Sequence, residues 1–284
     1  MKMKIMTHEQ IQKEEIEQIE ADLLLESIYR YYGYDFRNYS RPFILRRLTH
    51  RVHKENLTSI SALQERVLRD PMTLKKVFSD LSINVTEMFR DPSFFQSFRQ
   101  KVIPIVKEYS EIRIWHAGCA SGEEVYSMAI LLQEEGVYEK ARIFATDING
   151  KMIEQAKNGA FCLANMQQYT KNYMEAGGTK SFSEYYKVAG GLAVFNPLLQ
   201  KNIVFAEHNL VTDSSFNEFD IIICRNVLIY FNQTLQNDVH KLFYESLSLS
   251  GFLCLGNREG VRLTTYGKYY EETDTTGKLY RKVQ

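Results

Sequence analysis

Apolar positions recur at helical spacing through the first third of this 284-residue chain and give way, beyond about residue 110, to short apolar runs separated by helical stretches. Residues 7–20 are rich in Glu, Gln, Lys and Ile at near-helical spacing, which predicts a polar leading helix over 1–20, ordered fully or in part. From 21 to about 81 the pattern is wholly helical. Leu23, Leu24 and Ile28 form one apolar stripe, Tyr31-Tyr32-Gly33-Tyr34 is a break, and helices follow over 42–53, 59–68 and 71–81. Before the last of these Asp70 is placed to cap, with Pro71 at the first helical position. Residues 21–82 therefore read as a small helical bundle. By the same logic Asp91-Pro92 opens a helix running to about 107, so 83–110 is a linker and connecting helix.

Apolar strands then alternate with helices: 112–116, 141–147, 202–206, 219–224 and 251–256. Such alternation predicts an α/β domain over 111–284, a mostly parallel sheet with helices on both faces. The end differs, because 269–272 and 278–282 flank Thr273-Asp274-Thr275-Thr276-Gly277 and read as strands joined by a turn, with an antiparallel strand closing the sheet. Between 161 and 200 the rhythm breaks. Gly177-Gly178 and Gly190-Gly191 bracket an aromatic-rich stretch over 182–188, and an apolar run over 192–195 follows, which reads either as a small antiparallel insertion or as a long surface loop.

Composition narrows the field. Thirty-five basic and thirty-five acidic residues cancel, so no global field favours nucleic acid or an anionic membrane, and recognition must rest on local patches. Cys119, Cys162, Cys224 and Cys254 show no C-x-x-C spacing, and three of them lie in apolar or turn contexts that suit packed, reduced thiols. The opening residues 1–6 lack the apolar core of a signal peptide, and no stretch has the roughly twenty apolar residues of a membrane span, so a soluble cytoplasmic protein is expected.

The chemistry lies at the first strand. Ile112-Arg113-Ile114-Trp115, then His116-Ala117-Gly118-Cys119-Ala120-Ser121-Gly122, then Glu123-Glu124-Val125-Tyr126 make the strand, turn and helix of a Rossmann-like unit. About thirty residues on, a second strand ends in Asp147, where a carboxylate can accept hydrogen bonds from both hydroxyls of a ribose. A dinucleotide would need G-x-G-x-x-G and a helix start free of acid. Here Glu123 and Glu124 occupy that start and would repel a pyrophosphate, although they suit the helix dipole. S-adenosylmethionine fits better, since it carries an adenosine and a cationic sulfonium but no phosphate. The plain alternative is a strand-turn-helix with favourable acids in its first turn.

Three more segments converge on the same pocket in a doubly wound sheet: Asn84-Val85-Thr86-Glu87-Met88-Phe89-Arg90, His208-Asn209-Leu210, and Cys224-Arg225-Asn226-Val227-Leu228-Ile229-Tyr230. With these in order and spacing, the chain from about residue 23 to its end resembles the CheR-type chemotaxis receptor methyltransferases. The resemblance implies a Rossmann-like class I S-adenosylmethionine-dependent methyltransferase sheet behind an all-helical N-terminal domain. It implies cofactor contacts at Asn84, Thr86, Arg90, Glu124, Asp147, Asn209, Leu210, Arg225 and Asn226, beside the loop glycine Gly118, and a methyl-transfer site lined by Arg90 and Tyr230. The implied reaction converts glutamate side chains in the helical cytoplasmic region of methyl-accepting receptors into γ-glutamyl methyl esters, leaving S-adenosylhomocysteine. A monomer without nucleic acid, bound metal or membrane insertion is expected.

Residue by residue, plainer roles stay open. Asp147 could be a strand-end turn former, Tyr230 a packed aromatic, Arg90 a surface ion pair with Asp91 or Glu87, and Asn84 and Thr86 ordinary turn residues. Arg90 would either orient the incoming carboxylate or bind the cofactor's own. Arg41, Arg46, Arg47, Arg51 and Lys54 form a basic face that reads either as a dock for an acidic receptor helix or as a solvated surface. His50 and His53 lie at i and i+3 with no third ligand in view. Three departures from the family stand out: His116 where a small residue is common, Val125 where proline is common, and Gly256-Asn257-Arg258-Glu259 in place of the usual G-H-S-E. In some members a subdomain at the place of 161–200 grips a receptor's C-terminal peptide. Other classes that share the pocket are a methyltransferase for another protein or a small molecule, and a non-catalytic S-adenosylmethionine-binding adaptor.

Overall fold

A computed structural model describes residues 8–82 and 84–284, so the opening residues 1–7 and the linker position 83 lie outside the described residues. Among the described residues two units emerge, one of residues 8–82 with 230–235 and one of 84–229 with 236–284.

The first unit is helical: α1 (His8–Tyr32), α2 (Arg41–Lys54), α3 (Ile60–Arg69) and α4 (Pro71–Leu81). The expected division at residue 20 falls inside α1, because neither glycine nor proline interrupts the run from the polar start into the bundle. The break comes at Gly33, whose φ of +80° suits a residue without a Cβ. Ser59 accepts the Ala62 N–H, and Asp70 accepts those of Met72 and Thr73, so the two caps fix where α3 and α4 begin. Leu24, Ile28, Ile44, Leu48, Leu63 and Val67 are buried at the centre, whereas Leu23, expected on the same stripe, is exposed.

The second unit opens with α5 (Pro92–Lys101) and α6 (Ile103–Val106), two short helices in place of one reaching 107. Pro104 has no N–H for an unbroken ladder there. Next come β1 (Ile112–Ala117), α7 (Glu123–Glu134), β2 (Ala141–Asp147), α8 (Gly150–Asn158), β3 (Ala160–Cys162), α9 (Met166–Glu175), β4 (Tyr186–Ala189), β5 (Leu192–Phe195), β6 (Ile203–Glu207), β7 (Phe219–Cys224), α10 (Gln233–Ser246), β8 (Leu247–Leu255), β9 (Tyr270–Asp274) and β10 (Leu279–Lys282). The main sheet has the order β6-β2-β1-β7-β8-β10-β9, parallel from β6 to β8, with β10 antiparallel to both neighbours. The chain leaves β1 first toward β2 and β6 and later toward β7 and β8. The order thus reverses between β1 and β7, and the space above their carboxyl ends is where open α/β sheets of this kind bind ligands.

The interruption after residue 160 is a small antiparallel sheet, β3-β5-β4, whose hairpin turns at Gly190 (φ +56°) and Gly191 (φ +77°). It also holds α9, which the reading of the sequence left out although Met166, Tyr169 and Tyr173 have helical spacing and are all buried. The Glu134 carboxylate at the end of α7 ties this region down, accepting from Tyr173, Tyr185 and the Thr179 hydroxyl and pairing with Arg99. All four cysteines are free; Cys119, Cys224 and Cys254 are buried and Cys162 is exposed. No helix among the described residues is long and apolar enough to cross a membrane.

His240 on α10 is enclosed, 1% exposed, and burial pulls its imidazole down to about 4. It stays neutral in the fold while the unfolded chain protonates near 6.5, so its contribution is complete above about pH 6.5 and is lost as pH falls toward 4. The loss approaches about 3 kcal/mol. A His240→Leu variant should flatten the fall of urea-derived stability over that window. An acid limb as steep as in the parent chain would show that the histidine does not set it.

Candidate functional site

β1 ends at Ala117, and the chain turns through Gly118 (φ +80°), Ala120 (φ +47°) and Gly122 (φ +95°) before α7 begins. The Gly118 and Cys119 N–H groups donate to the Thr146 carbonyl at 2.8 and 2.9 Å, which ties the loop to the end of β2. A Cβ on Gly118 would lie 2.6 Å from Val227 Cγ2, so glycine is what lets this loop lie against the one after β7.

Asp147 stands at the end of β2. Its Oδ2 accepts the Ala120 N–H at 2.9 Å and its Oδ1 the Asn149 N–H at 2.9 Å. Burial raises its carboxyl above the ordinary value despite those bonds. Each oxygen keeps a further lone pair, enough to receive two ribose hydroxyls.

Across the crevice Glu124 receives Arg225 Nη1 and lies 3.7 Å from His116 Nδ1. Burial pushes its carboxyl upward, but Arg225 and His116 outweigh it and hold the group below the ordinary range. Glu123 beside it has only the Ser121 hydroxyl, at 2.6 Å, and burial raises it. The Arg225 side chain is fully enclosed. It donates to Asp91 Oδ2 at 2.8 Å and to the Arg90 carbonyl at 3.2 Å, with its guanidinium carbon 4.1 Å from the centre of the Phe94 ring. It therefore braces Glu124 and the Arg90 backbone rather than offering its side chain to a ligand. Asp91, expected to cap α5, makes no side-chain cap. Its φ of +56° turns the carboxylate to Arg225, and the stronger charge-assisted bond wins.

The segment before α5 is anchored by Phe89, which is fully buried against Phe95, Tyr173 and Phe182 and whose N–H donates to Ser127 Oγ at 2.9 Å. That anchor sets the place of Asn84, Thr86 and Arg90, all half-buried. Arg90 donates one long hydrogen bond, 3.5 Å, to the Val85 carbonyl and forms no ion pair among the described residues, so the pairing considered with Asp91 or Glu87 is absent. Asn209 and Leu210 follow His208, whose N–H donates to the Asp147 carbonyl at 3.1 Å; the Asn209 Oδ1 accepts the Val211 N–H within its own turn.

Asn226 sits at φ +62° on the loop after β7, and that loop is held by a residue named from the sequence only within a family run and given no site role there. The Glu259 carboxylate accepts four backbone amides: Asn226 at 2.9 Å and Gly256 at 2.7 Å on Oε2, Val227 at 2.9 Å and Leu228 at 2.8 Å on Oε1. Burial raises its carboxyl even against those four donors. Its position at the end of the Gly256-Asn257-Arg258-Glu259 run was the available signal.

Not every expected residue joins this cluster. Tyr230 groups with the helical unit, where its carbonyl accepts the Ser40 N–H at 2.7 Å and its ring lies 5.0 Å from that of Phe43. The basic face of α2 is partly spent on its own unit: Arg51 is bidentate on Asp80 and also bonds Glu55, and Arg41 pairs with Asp22. Arg46 and Lys54 remain exposed. No group of three metal-ligating side chains occurs among the described residues.

Residues 84–276 match the S-adenosylmethionine-binding domain of the CheR methyltransferases, and residues 19–82 match their all-alpha domain. The chain belongs to the CheR methyltransferase family. It is 47% identical over 264 residues to the Cher3 protein of Pseudomonas putida, covering 93% of this chain and 97% of that one. It is 28% identical over 236 residues to a chemotaxis protein methyltransferase of Listeria monocytogenes (81% and 85% of the two chains) and 29% identical over 231 residues to chemotaxis protein methyltransferase 1 of Pseudomonas aeruginosa (76% and 80%). This CheR-family chain is a methyltransferase that uses S-adenosylmethionine. Its crevice suits that cofactor: a glycine loop pressed close to the neighbouring strand end, a strand-end carboxylate with lone pairs to spare, and acids where a phosphate would sit.

Proposed function

We propose that this enzyme methylates glutamate side-chain carboxylates in the helical cytoplasmic region of chemotaxis-type receptors, forming γ-glutamyl methyl esters and S-adenosylhomocysteine. The observation that carries the reading is the half-buried Arg90 guanidinium, paired to no carboxylate among the described residues, with its own carbonyl held by Arg225. The names of the Listeria and Pseudomonas aeruginosa relatives point the same way.

A glutamate has a pKa near 4.3, so at neutral pH the acceptor is already an anion and needs no general base. When bound, S-adenosylmethionine supplies an electrophilic methyl group and its own leaving group. The residues must therefore align and exclude water. Asp147 would hold the ribose, Glu124 the cationic end of the cofactor's amino-acid portion, and Asn84, Thr86, Asn209, Leu210 and Asn226 the remaining edges. Arg90 would steer the incoming carboxylate by charge-assisted hydrogen bonds. On α2, Arg46 and Lys54 with Arg47 would meet an acidic receptor helix and chiefly raise the rate of encounter.

The test mixes the protein with methyl-labelled cofactor and receptor-bearing membranes and looks for base-labile label on the receptor. Stable label elsewhere, or cofactor binding without transfer, would end this reading. Arg90→Ala should lower transfer by about a hundredfold, the scale of a misplaced reactant, while thermal unfolding stays close to the parent. Near-normal turnover would remove Arg90 from its assigned role.

A further inference from the structure

Behind the loop held by Glu259 lies a second cavity, of about 340 Å³, within the sheet unit. Leu228 and Ile229 form one wall, so it backs onto the loop after β7, on which Asn226 would meet the cofactor. Its opposite wall comes from the segment after β8 and from the β9–β10 hairpin, which contribute Arg258, Arg262 and Lys278.

Charge in this cavity is unbalanced. The Glu259 carboxylate is already taken up by four amides. Glu272 serves two cations, lying 2.7 Å from Arg262 Nη2 and 3.8 Å from Lys278 Nζ. Arg258 is exposed and has no ion-pair partner among the described residues, and it stands where the family's usual run has serine. The floor includes the enclosed His240, whose Nδ1 has no hydrogen-bond partner. A surplus cation over a partly apolar wall suits a carboxylate carried on an aliphatic arm, as on an acidic side chain of a polypeptide.

We infer that this cavity is a second substrate subsite, in which Arg258, supported by Arg262 and Lys278, receives an acidic side chain of the methyl-accepting polypeptide close to the glutamate being modified. The inference rests on the proposed reading of the crevice as a protein-glutamate methyltransferase site. Arg258 is then a specificity residue that ranks acceptor glutamates by their acidic neighbours.

The experiment uses the full chain saturated with S-adenosylhomocysteine and a fluorescent helical peptide bearing two adjacent glutamates, followed by anisotropy beside a twin with both changed to glutamine. The glutamate peptide should bind more tightly than its twin. Arg258→Ser should remove about threefold to fivefold of that affinity, the scale of one solvent-accessible ion pair, and Glu272→Gln should strengthen binding by freeing Arg262 and Lys278. Calorimetric affinity for S-adenosylhomocysteine should stay unchanged in both variants, which shows that they are folded. Equal affinity for the two peptides, no binding at all, or indifference to Arg258→Ser with an intact cofactor site would each overturn the subsite. Failure of the methylation reading would look different: peptide discrimination by Arg258 would persist while no base-labile ester formed.

Discussion

An Arg225→Met variant should lose about 3–5 kcal/mol of stability at neutral pH, because removing one partner of a buried ion pair leaves its acids uncompensated. The Arg225 side chain has no exposed surface and stands between Glu124 and Asp91. In the native chain, burial drives Glu124 toward protonation, and Arg225 with His116 reverses that tendency. Its folded pKa is lowered, so the stability it contributes is present above its unfolded value near 4.3 and disappears as pH falls through the folded one. Without Arg225 the burial effect dominates, the folded pKa rises above the unfolded one, and the sign reverses, so ionised Glu124 opposes folding as pH rises through that window. The gap between variant and parent should therefore be wide at pH 7 and narrow near pH 4.5, and adding Glu124→Gln should recover part of it. Cofactor affinity should fall as well, because the Arg90 carbonyl loses two donors. Urea denaturation at the two pH values decides: a gap below about 1 kcal/mol, or one that ignores pH, would show that Arg225 does not neutralise this site.

A Glu259→Gln variant should weaken S-adenosylhomocysteine binding by about tenfold or more and lower the thermal midpoint, although the shape of the side chain barely changes. Each carboxylate oxygen accepts two backbone N–H groups at 2.7–2.9 Å. A glutamine has one accepting oxygen, so in either orientation its NH₂ must face two N–H donors. Each buried donor left without a partner costs about 1–3 kcal/mol. The loop already lies tight against Gly256, where an added Cβ would meet Glu259 Oε2 at 2.7 Å and the Asn226 nitrogen at 2.8 Å. In one of those orientations Asn226, held at a positive φ, loses its acceptor; in the other Val227 and Leu228 lose theirs. Glu259→Asp should fare little better, since a shorter arm cannot reach both pairs of amides. Calorimetry with S-adenosylhomocysteine checks the claim, and an unaltered affinity in Glu259→Gln would mean that the clamp does not shape the crevice.

Much of the architecture was legible before any coordinates, and the reasons are local. Ser59 and Asp70 announced helix starts by chemistry that needs only the next three residues. The Gly118–Gly122 turn and Asp147 showed their place because glycine and a strand-end acid are constrained by their own backbone. Asp91 carried the same local signature as Asp70, yet its side chain turned to Arg225, 134 positions away. Arg51 looked like part of a docking face until Asp80 came beside it. Helix α9 had apolar spacing in plain view, obscured by the glycine pairs that followed.

By itself the sequence determined most of the helices and the strands of the main sheet, the glycine-turned loop under a phosphate-free nucleoside, and the family, because periodicity, capping and backbone permissiveness act over a few residues. The tertiary structure alone decided which charges neutralise one another and which remain for a ligand. Arg225 meets Glu124 across 101 residues, and Glu259 grips amides 31 to 33 positions upstream, so no local pattern encodes either contact. Those long-range bonds leave Arg90 and Arg258 without carboxylate partners among the described residues, and an arginine without one is what an anionic substrate can use.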